Sequence, residues 1–249
     1  MNEIHNIKNY RPLISIITVC YNAEKVIEDT IISVLSQKFN NYEYIIIDGQ
    51  SSDRTNLIIE KYKARIDYWK SEPDNGIYDA MNKGIKSSTG EWIIFMNAGD
   101  TFVNEYVLLN VAPFLKMRQY DVIYGDTFIK DKNRTLLKKA LPLNTITLSL
   151  PFCHQSVFVR SNIMKNYLFD MKFKIAADYN FFFKIYKLKY KFQHINNIIS
   201  VYDSSDGISS KQRSLTYKEI CIINGRSKGF INRIRYETVS LILKLGLFK

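Results

Sequence analysis

Long hydrophobic runs are missing from this sequence, and cysteine is scarce. No apolar stretch in the 249 residues reaches the roughly 18–20 needed to span a bilayer as a helix. Met1 to Arg11 lacks the apolar segment of a secretory signal. Cys20, Cys153 and Cys221 are odd in number and far apart. They therefore predict free thiols in a reducing, cytoplasmic setting rather than a disulfide framework. No Cys/His cluster has the spacing of a zinc site. Internal repeats and low-complexity linkers are absent too, so the expected organisation is one continuous domain, 1–210, with a C-terminal extension, 211–249. The domain divides into halves at about 12–100 and 101–210.

What is present is a large core and an uneven charge. Hydrophobic residues make up 46% of the chain, with 17 Tyr, 15 Phe and 2 Trp, enough for a globular domain of this length. The net charge is +11, and much of it sits late. From Ile208 to Lys249, nine Lys/Arg face only Glu219 and Glu237. Such a segment suits anionic lipid, nucleic acid or a phosphorylated substrate.

Apolar strands and helical patterns alternate through the first hundred residues. Leu13 to Val19 predicts a strand, Ala23 to Gln37 a helix, and Tyr44 to Ile47 a strand ending at Asp48-Gly49. A helix follows to about Ala64 with Asp53 as its cap, then a short strand from Ile66 to Lys70 and a helix from Ile77 to Lys86. This order calls for an α/β fold, a mostly parallel sheet with right-handed crossovers. Later strands are expected at Val122 to Asp126, Gln155 to Val159, Phe192 to Ile195 and Ile198 to Tyr202, with a helix from Ala176 to Leu188. The last forty residues read as helical, with breaks near Gly225 and Gly229.

The most informative stretch is Glu91-Trp-Ile-Ile-Phe-Met-Asn-Ala-Gly-Asp100. Trp92 to Met96 reads as a buried parallel strand, and the Asn97-Ala98-Gly99 turn leaves Asp100 at its carboxyl end, where open α/β sheets place their ligands. A carboxylate there can hold Mg²⁺ or Mn²⁺ against a diphosphate; the alternative is a turn whose Asp caps the next helix. Thr18-Val-Cys-Tyr-Asn22 offers a hydroxyl, an aromatic face and backbone amides to a nucleotide. Asp48 could accept the imide N–H of a uracil ring. Taken singly, such residues as often just shape turns.

Taken in order, they are more specific. Ser15-Ile-Ile-Thr-Val-Cys-Tyr-Asn22, Ile45-Ile-Ile-Asp-Gly-Gln-Ser-Ser-Asp53, Asn82-Lys-Gly-Ile85, the run from Gly90 to Asp100 and Ala176-Ala-Asp178 closely resemble family 2 glycosyltransferases of the GT-A fold. The resemblance covers about residues 12–205. Within it, Ser71-Glu-Pro-Asp-Asn-Gly-Ile-Tyr-Asp-Ala-Met-Asn-Lys-Gly84 is similar to the branch that builds bacterial surface polysaccharides (O-antigen and exopolysaccharide).

The resemblance implies transfer of a hexose or N-acetylhexosamine from a UDP-sugar, with inversion at the anomeric carbon. By position, Thr18, Tyr21, Asn22, Asp48, Asp74 and Asn82 would bind the nucleotide, with Thr18, Tyr21 and Asp48 on the nucleoside. Asp100 would bind the Mn²⁺ or Mg²⁺ bridging the phosphates. Asp178 would deprotonate the acceptor hydroxyl. Asn97, Asp126, His154 and Gln155 would line the donor and acceptor pocket. Two departures stand out: Asn97-Ala98-Gly99-Asp100 keeps one carboxylate where the family often has Asp-x-Asp-Asp, and Ala177 precedes the base where a Glu is usual. Metal affinity without nucleotide should therefore be poor. His154 could equally be a buried histidine satisfied by backbone, Asp74 and Asp79 could merely cap the Ile77 helix, and Tyr179-Asn-Phe-Phe-Phe183 reads better as core than as a sugar platform. Asp206-Gly-Ile-Ser209 is either a loop over the diphosphate or a plain turn.

Phe230, Ile231, Ile234, Leu241, Ile242 and Leu245 recur at helical spacing with Lys228, Arg233, Arg235 and Lys244 between them. That is the pattern of a basic amphipathic helix at a membrane interface, or of one packed on the domain. A lipid-diphosphate-linked saccharide acceptor at the inner face of the cell membrane would favour the first. A nucleotidyltransferase is the nearest enzymatic alternative, but Val19-Cys-Tyr-Asn22 has no glycine for its phosphate loop. A non-catalytic membrane or nucleic-acid module is the other, and no RNA-binding signature accompanies the charge; no nucleic-acid partner is expected.

Overall fold

The structure is a computed structural model and describes residues 11–131, 134–204 and 212–227. Nine strands form one sheet among these residues, in the order β3-β2-β1-β4-β8-β6-β9-β5, with β7 paired to β6. The ranges are β1 Ile14–Cys20, β2 Tyr42–Asp48, β3 Tyr68–Ser71, β4 Trp92–Phe95, β5 Thr101–Phe102, β6 Val122–Lys130, β7 Thr135–Lys138, β8 Val157–Arg160 and β9 Phe192–Asp203. Strands β3, β2, β1 and β4 run parallel, and β8 enters antiparallel between β4 and β6.

Every residue of β1 and β4 is buried, which is why both read as unbroken apolar runs: helices cover each face of a parallel sheet. Ile17, Val19, Ile45 and Ile47 point to one face, under α3 (Ile77–Ser87), α5 (Ser161–Asn166) and α6 (Ala177–Lys187). Ile14, Ile16, Tyr44 and Ile46 point to the other, under α1 (Ile27–Leu35), α2 (Thr55–Glu60) and α4 (Val107–Lys116). Helix α3 lies so close to β1 that a Cβ on Gly84 would stand 2.5 Å from Ile17 Cγ2. A side chain at 84 would push α3 off the sheet.

The expected elements occur, with shifted edges. Helix α2 stops at Glu60, and a 3-10 turn at Lys63–Arg65 takes the place of its expected last turn. Its N-cap is Arg54 rather than Asp53, whose Oδ1 takes the Thr55 N–H while Oδ2 takes the Glu24 N–H, tying the helix start to the loop after β1. The two short strands expected at 192–195 and 198–202 are one strand. Its register on β6 jumps between Tyr124 opposite His194 and Asp126 opposite Ile198, a bulge facing Gly125. The C-terminal extension begins as α7 (Arg213–Ile223) packed on α6. It ends where Gly225 adopts φ +78°, as a helix C-terminus favours. Residues 206–209 and 228–249, including the amphipathic pattern, lie outside the described residues. Cys20, Cys153 and Cys221 are free thiols, and no described helix is long and apolar enough to cross a membrane.

Candidate active site

Chain direction decides what meets at the end of β4. The strand stops at Phe95, and Gly99, at φ +99°, lets the Asn97–Asp100 turn close with Asp100 N–H donating to Asn97 O at 2.9 Å. Because β8 runs antiparallel to β4, the residues leading into β8 arrive at this same end. They form a short 3-10 turn, His154–Ser156, so two consecutive side chains reach the turn after β4.

Those two side chains join two carboxylates. Gln155 Nε2 donates to Asp100 Oδ2 at 3.0 Å, and the Asp203 N–H from the end of β9 donates to Oδ1 at 3.3 Å. His154 Nδ1 lies 3.3 Å from Asp178 Oδ2, and His154 Nε2 is 3.2 Å from Asn97 Nδ2. Since Asn97 Nδ2 can only donate, Nε2 accepts and the ring proton sits on Nδ1, facing Asp178. Asp178 opens α6, and its Oδ1 accepts the Tyr179 N–H at 2.7 Å and lies 3.2 Å from the Tyr78 hydroxyl. Burial holds that hydroxyl well above its ordinary pKa, so it keeps its proton, which it gives to Ile175 O at 2.5 Å.

Asp100 is 4% exposed. Burial, the largest influence, pushes its carboxyl up to about 7, against the pull of His154, Gln155 and the Asp203 N–H. Asn97 Oδ1 is buried without a hydrogen-bond partner. The Asp100 carboxylate and the Asn97 amide oxygen, carried on one turn, are hard oxygen donors of the kind Mg²⁺ or Mn²⁺ takes. Among the described residues no group of three acidic, His or Cys side chains is placed to hold a metal ion, so any such ion would depend on a ligand for its remaining oxygens.

A second cluster lies where β1, β2 and β3 end. Asn22, at φ +47°, accepts the Ser52 N–H on Oδ1 and donates its own N–H to Ser51 Oγ. Tyr21 is 65% exposed and offers a free aromatic face. A Cβ on Gly49 would collide with Asp74 Oδ2 and stand 3.4 Å from the Tyr21 ring, so Tyr21, Gly49 and Asp74 flank one small space. Asp74 Oδ1 also accepts the Gly76 N–H ahead of α3, the capping alternative.

Several expected residues are occupied by the fold itself. Asp48 is fully buried, and both its oxygens are taken by Ser51, Ser71 and Asn56. Burial alone would raise its pKa, but those donors outweigh it and hold the carboxyl below its usual value. Its lone pairs are engaged by the loop that follows β2 and by β3, so Asp48 holds the ends of those strands together. Thr18 is fully buried, donating to Met96 O at 2.7 Å. Asn82 pins Phe169 by donating to its C=O and accepting its N–H, each at 2.9 Å. Asp126 accepts the Ala140 N–H and pairs with His194 Nε2 at 3.0 Å, at the β6–β9 bulge.

Three residues at the site escaped the sequence analysis: Tyr78, Asp203 and Glu219. The Glu219 carboxylate, 6% exposed, accepts the N–H groups of Lys174, Ile175 and Ala176 at 2.8, 3.0 and 2.9 Å, just ahead of Asp178. The available signal was compositional: Glu219 is one of two acids in the basic segment from Ile208 to Lys249.

Comparison with known proteins identifies the fold and the family. The chain is 26% identical over 208 residues to a PGL/p-HBAD biosynthesis glycosyltransferase of Mycobacterium bovis, covering 80% of each. It is 25% identical over 253 residues to an uncharacterized glycosyltransferase of Rickettsia typhi, covering 90% of this chain and 79% of that one. Among solved structures, S. aureus TarS 1–349 in complex with UDP-GlcNAc superposes with a TM-score of 0.69 at 21% identity, over 84% of this chain. The mannosyltransferase PcManGT of Pyrobaculum calidifontis, in complex with GDP-Man and Mn²⁺, gives 0.68 at 15% identity over 89%. This chain spans 66% of each of those two crystallised chains. The sheet with its flanking helices is thus the GT-A fold. Residues 15–191 match the profile described as Glycosyl transferase family 2, and the chain belongs to that family of glycosyltransferases.

Proposed function

We propose that this protein is an inverting glycosyltransferase that moves a hexose or N-acetylhexosamine from a UDP-sugar to a lipid-diphosphate-linked saccharide in bacterial surface-polysaccharide biosynthesis. The observation that carries this reading is the His154-Gln155 pair. Adjacent side chains tie Asp178, on the first turn of α6, and Asp100, at the end of β4, to one short turn, so a proton acceptor and a phosphate-side carboxylate are held close together. TarS bound to UDP-GlcNAc supports a UDP-sugar as donor.

In the proposed reaction Tyr21, Asn22 and Asp74 receive the nucleoside, while Asp48 holds their loop in shape. Asp100 and Asn97 Oδ1 would hold Mg²⁺ or Mn²⁺, which supplies positive charge against the departing diphosphate. Asp178 takes the proton of the acceptor hydroxyl as its oxygen bonds to the anomeric carbon. The bond from that carbon to the phosphate oxygen breaks, and its electron pair leaves with the diphosphate. His154 holds Asp178 by its Nδ1–H and so orients the base, while the Tyr78 hydroxyl, whose proton goes to Ile175 O, lies 3.2 Å from the other carboxylate oxygen. A single displacement inverts the anomeric centre. The basic segment 228–249 is proposed to hold the enzyme at the cytoplasmic membrane surface, where each nearby Lys or Arg contributes about 1 kcal/mol against anionic lipid.

The test is a panel of nucleotide sugars with Mn²⁺ or Mg²⁺ and a synthetic lipid-diphosphate N-acetylhexosamine acceptor. UDP-sugar turnover that stops with chelator, and product of inverted configuration, are expected. Turnover of no nucleotide sugar, or retained configuration, refutes the reading.

A further inference from the structure

We infer that Glu219, on α7 and beyond the segment that matches the family, is a positioning residue for the catalytic base. The inference rests on the reading of Asp178 as that base. Three consecutive N–H groups, those of Lys174, Ile175 and Ala176, converge on the one Glu219 carboxylate. Oε1 accepts the first and Oε2 the other two. The same segment is gripped from its other side, where the Tyr78 hydroxyl donates to Ile175 O at 2.5 Å. The Ile175 residue is therefore clasped at both its N–H and its C=O, two residues ahead of Ala177 and three ahead of Asp178.

The clasp sets the angle at which α6 begins, and Asp178 stands on its first turn. A buried carboxylate accepting three backbone N–H groups makes charge-assisted bonds, roughly twice as strong as neutral ones and directional. Asp178 must sit within hydrogen-bond reach of an acceptor hydroxyl, and small errors of placement at such a distance cost rate rather than binding. Nucleotide binding draws on another part of the molecule, the ends of β1 and β2 and the loop into α3, with which Glu219 has no hydrogen bond. Helix α7 is held in turn by Asn224 Nδ2 to Tyr179 Oη at 3.3 Å and Arg226 Nη2 to Thr147 O at 3.2 Å. The first turns of the C-terminal extension thus belong to the reaction centre's support.

Glu219→Gln tests this in the full chain. It keeps the size of the side chain but points an amide N–H₂ at backbone donors and removes the charge. The expected result is a kcat for transfer reduced at least tenfold, with donor KM and UDP affinity by calorimetry within twofold of wild type, measured well below the melting temperature. The decisive readout is the double variant with Asp178→Asn: if Glu219 acts through the base, Glu219→Gln has no further effect on kcat in that background. Wild-type kcat in Glu219→Gln, or an equal fold-loss with and without Asp178→Asn, overturns the inference. If Glu219→Gln yields no folded protein, Glu219→Asp, which keeps the charge and withdraws it by one methylene, takes its place, and wild-type kcat there is equally fatal. Asp178→Asn alone reports on the base: if it retains transfer, the reading of Asp178 fails irrespective of Glu219.

Discussion

Asp100→Asn should flatten a pH dependence that the wild-type protein shows without metal. Burial raises the Asp100 carboxyl from 3.8 to about 7, so the folded chain binds a proton there that the unfolded chain has lost. A folded-state pKa above the unfolded one gives stability that is complete below pH 4 and is lost as pH rises through 7. Three pH units at 1.36 kcal/mol each bound the loss at about 4 kcal/mol. Urea melts in chelator at pH 4, 5.5, 7 and 8 would show the wild-type curve falling relative to Asp100→Asn, which stays neutral throughout. Mn²⁺ with UDP should restore wild type and not the variant. Because the cation displaces this proton, its apparent affinity should rise about tenfold per pH unit up to 7 and level off above it. Parallel stability–pH curves for the two proteins, or a cation affinity indifferent to pH between 5.5 and 7, would refute the reasoning.

The remaining predictions concern the base, the core and the extension. Asp178→Asn should lower transfer by roughly 10²–10⁴ while calorimetry finds UDP binding intact; near-normal turnover removes Asp178 from the mechanism. Asn82→Ala should destabilise the fold by about 1–3 kcal/mol, since it strands the Phe169 N–H and C=O in the interior, and chemical denaturation checks the value. Deleting Lys228 to Lys249 should leave UDP-sugar hydrolysis within a few-fold of wild type and reduce binding to anionic vesicles; unchanged vesicle flotation would rule out the tail as the anchor. Vesicle binding by the full chain should weaken with salt, because screening shortens the reach of its charges.

How much was legible depended on whether a residue's partners lie near it in sequence. The parallel core could be read because β1, β2 and β4 are buried on both faces, and burial writes itself as continuous Ile, Val and Phe. The Asn97–Asp100 turn could be read because a strand must end before a ligand can be placed. Helix α4 could not, since Pro113 interrupts the pattern a helix is expected to keep and removes one backbone donor. Strands β5 and β7 are too short to show an alternation. Among site residues, Asp48, Thr18 and Asn82 look from the sequence like ligand contacts, because polar groups at strand ends and helix faces usually meet solvent. Only the fold reveals that Ser51, Ser71, Met96 and Phe169 have already claimed them.

The C-terminal extension shows the same effect in reverse. Its positive charge suggested a unit with its own purpose, yet α7 supplies the one buried acid that holds the backbone ahead of Asp178. A buried carboxylate is costly unless its oxygens are satisfied, so Glu219 persists in a basic helix only where backbone donors wait for it. Those donors are the N–H groups that precede α6. A segment whose sequence reads as surface is therefore fastened to the innermost part of the site. It follows that a cut after Arg226 and a cut before Arg213 should differ sharply: the first keeps the Glu219 clasp and the Arg226 bond to Thr147, whereas the second removes both. Loss of transfer by the longer protein as complete as that of the shorter would show that the boundary between enzyme and tail lies elsewhere.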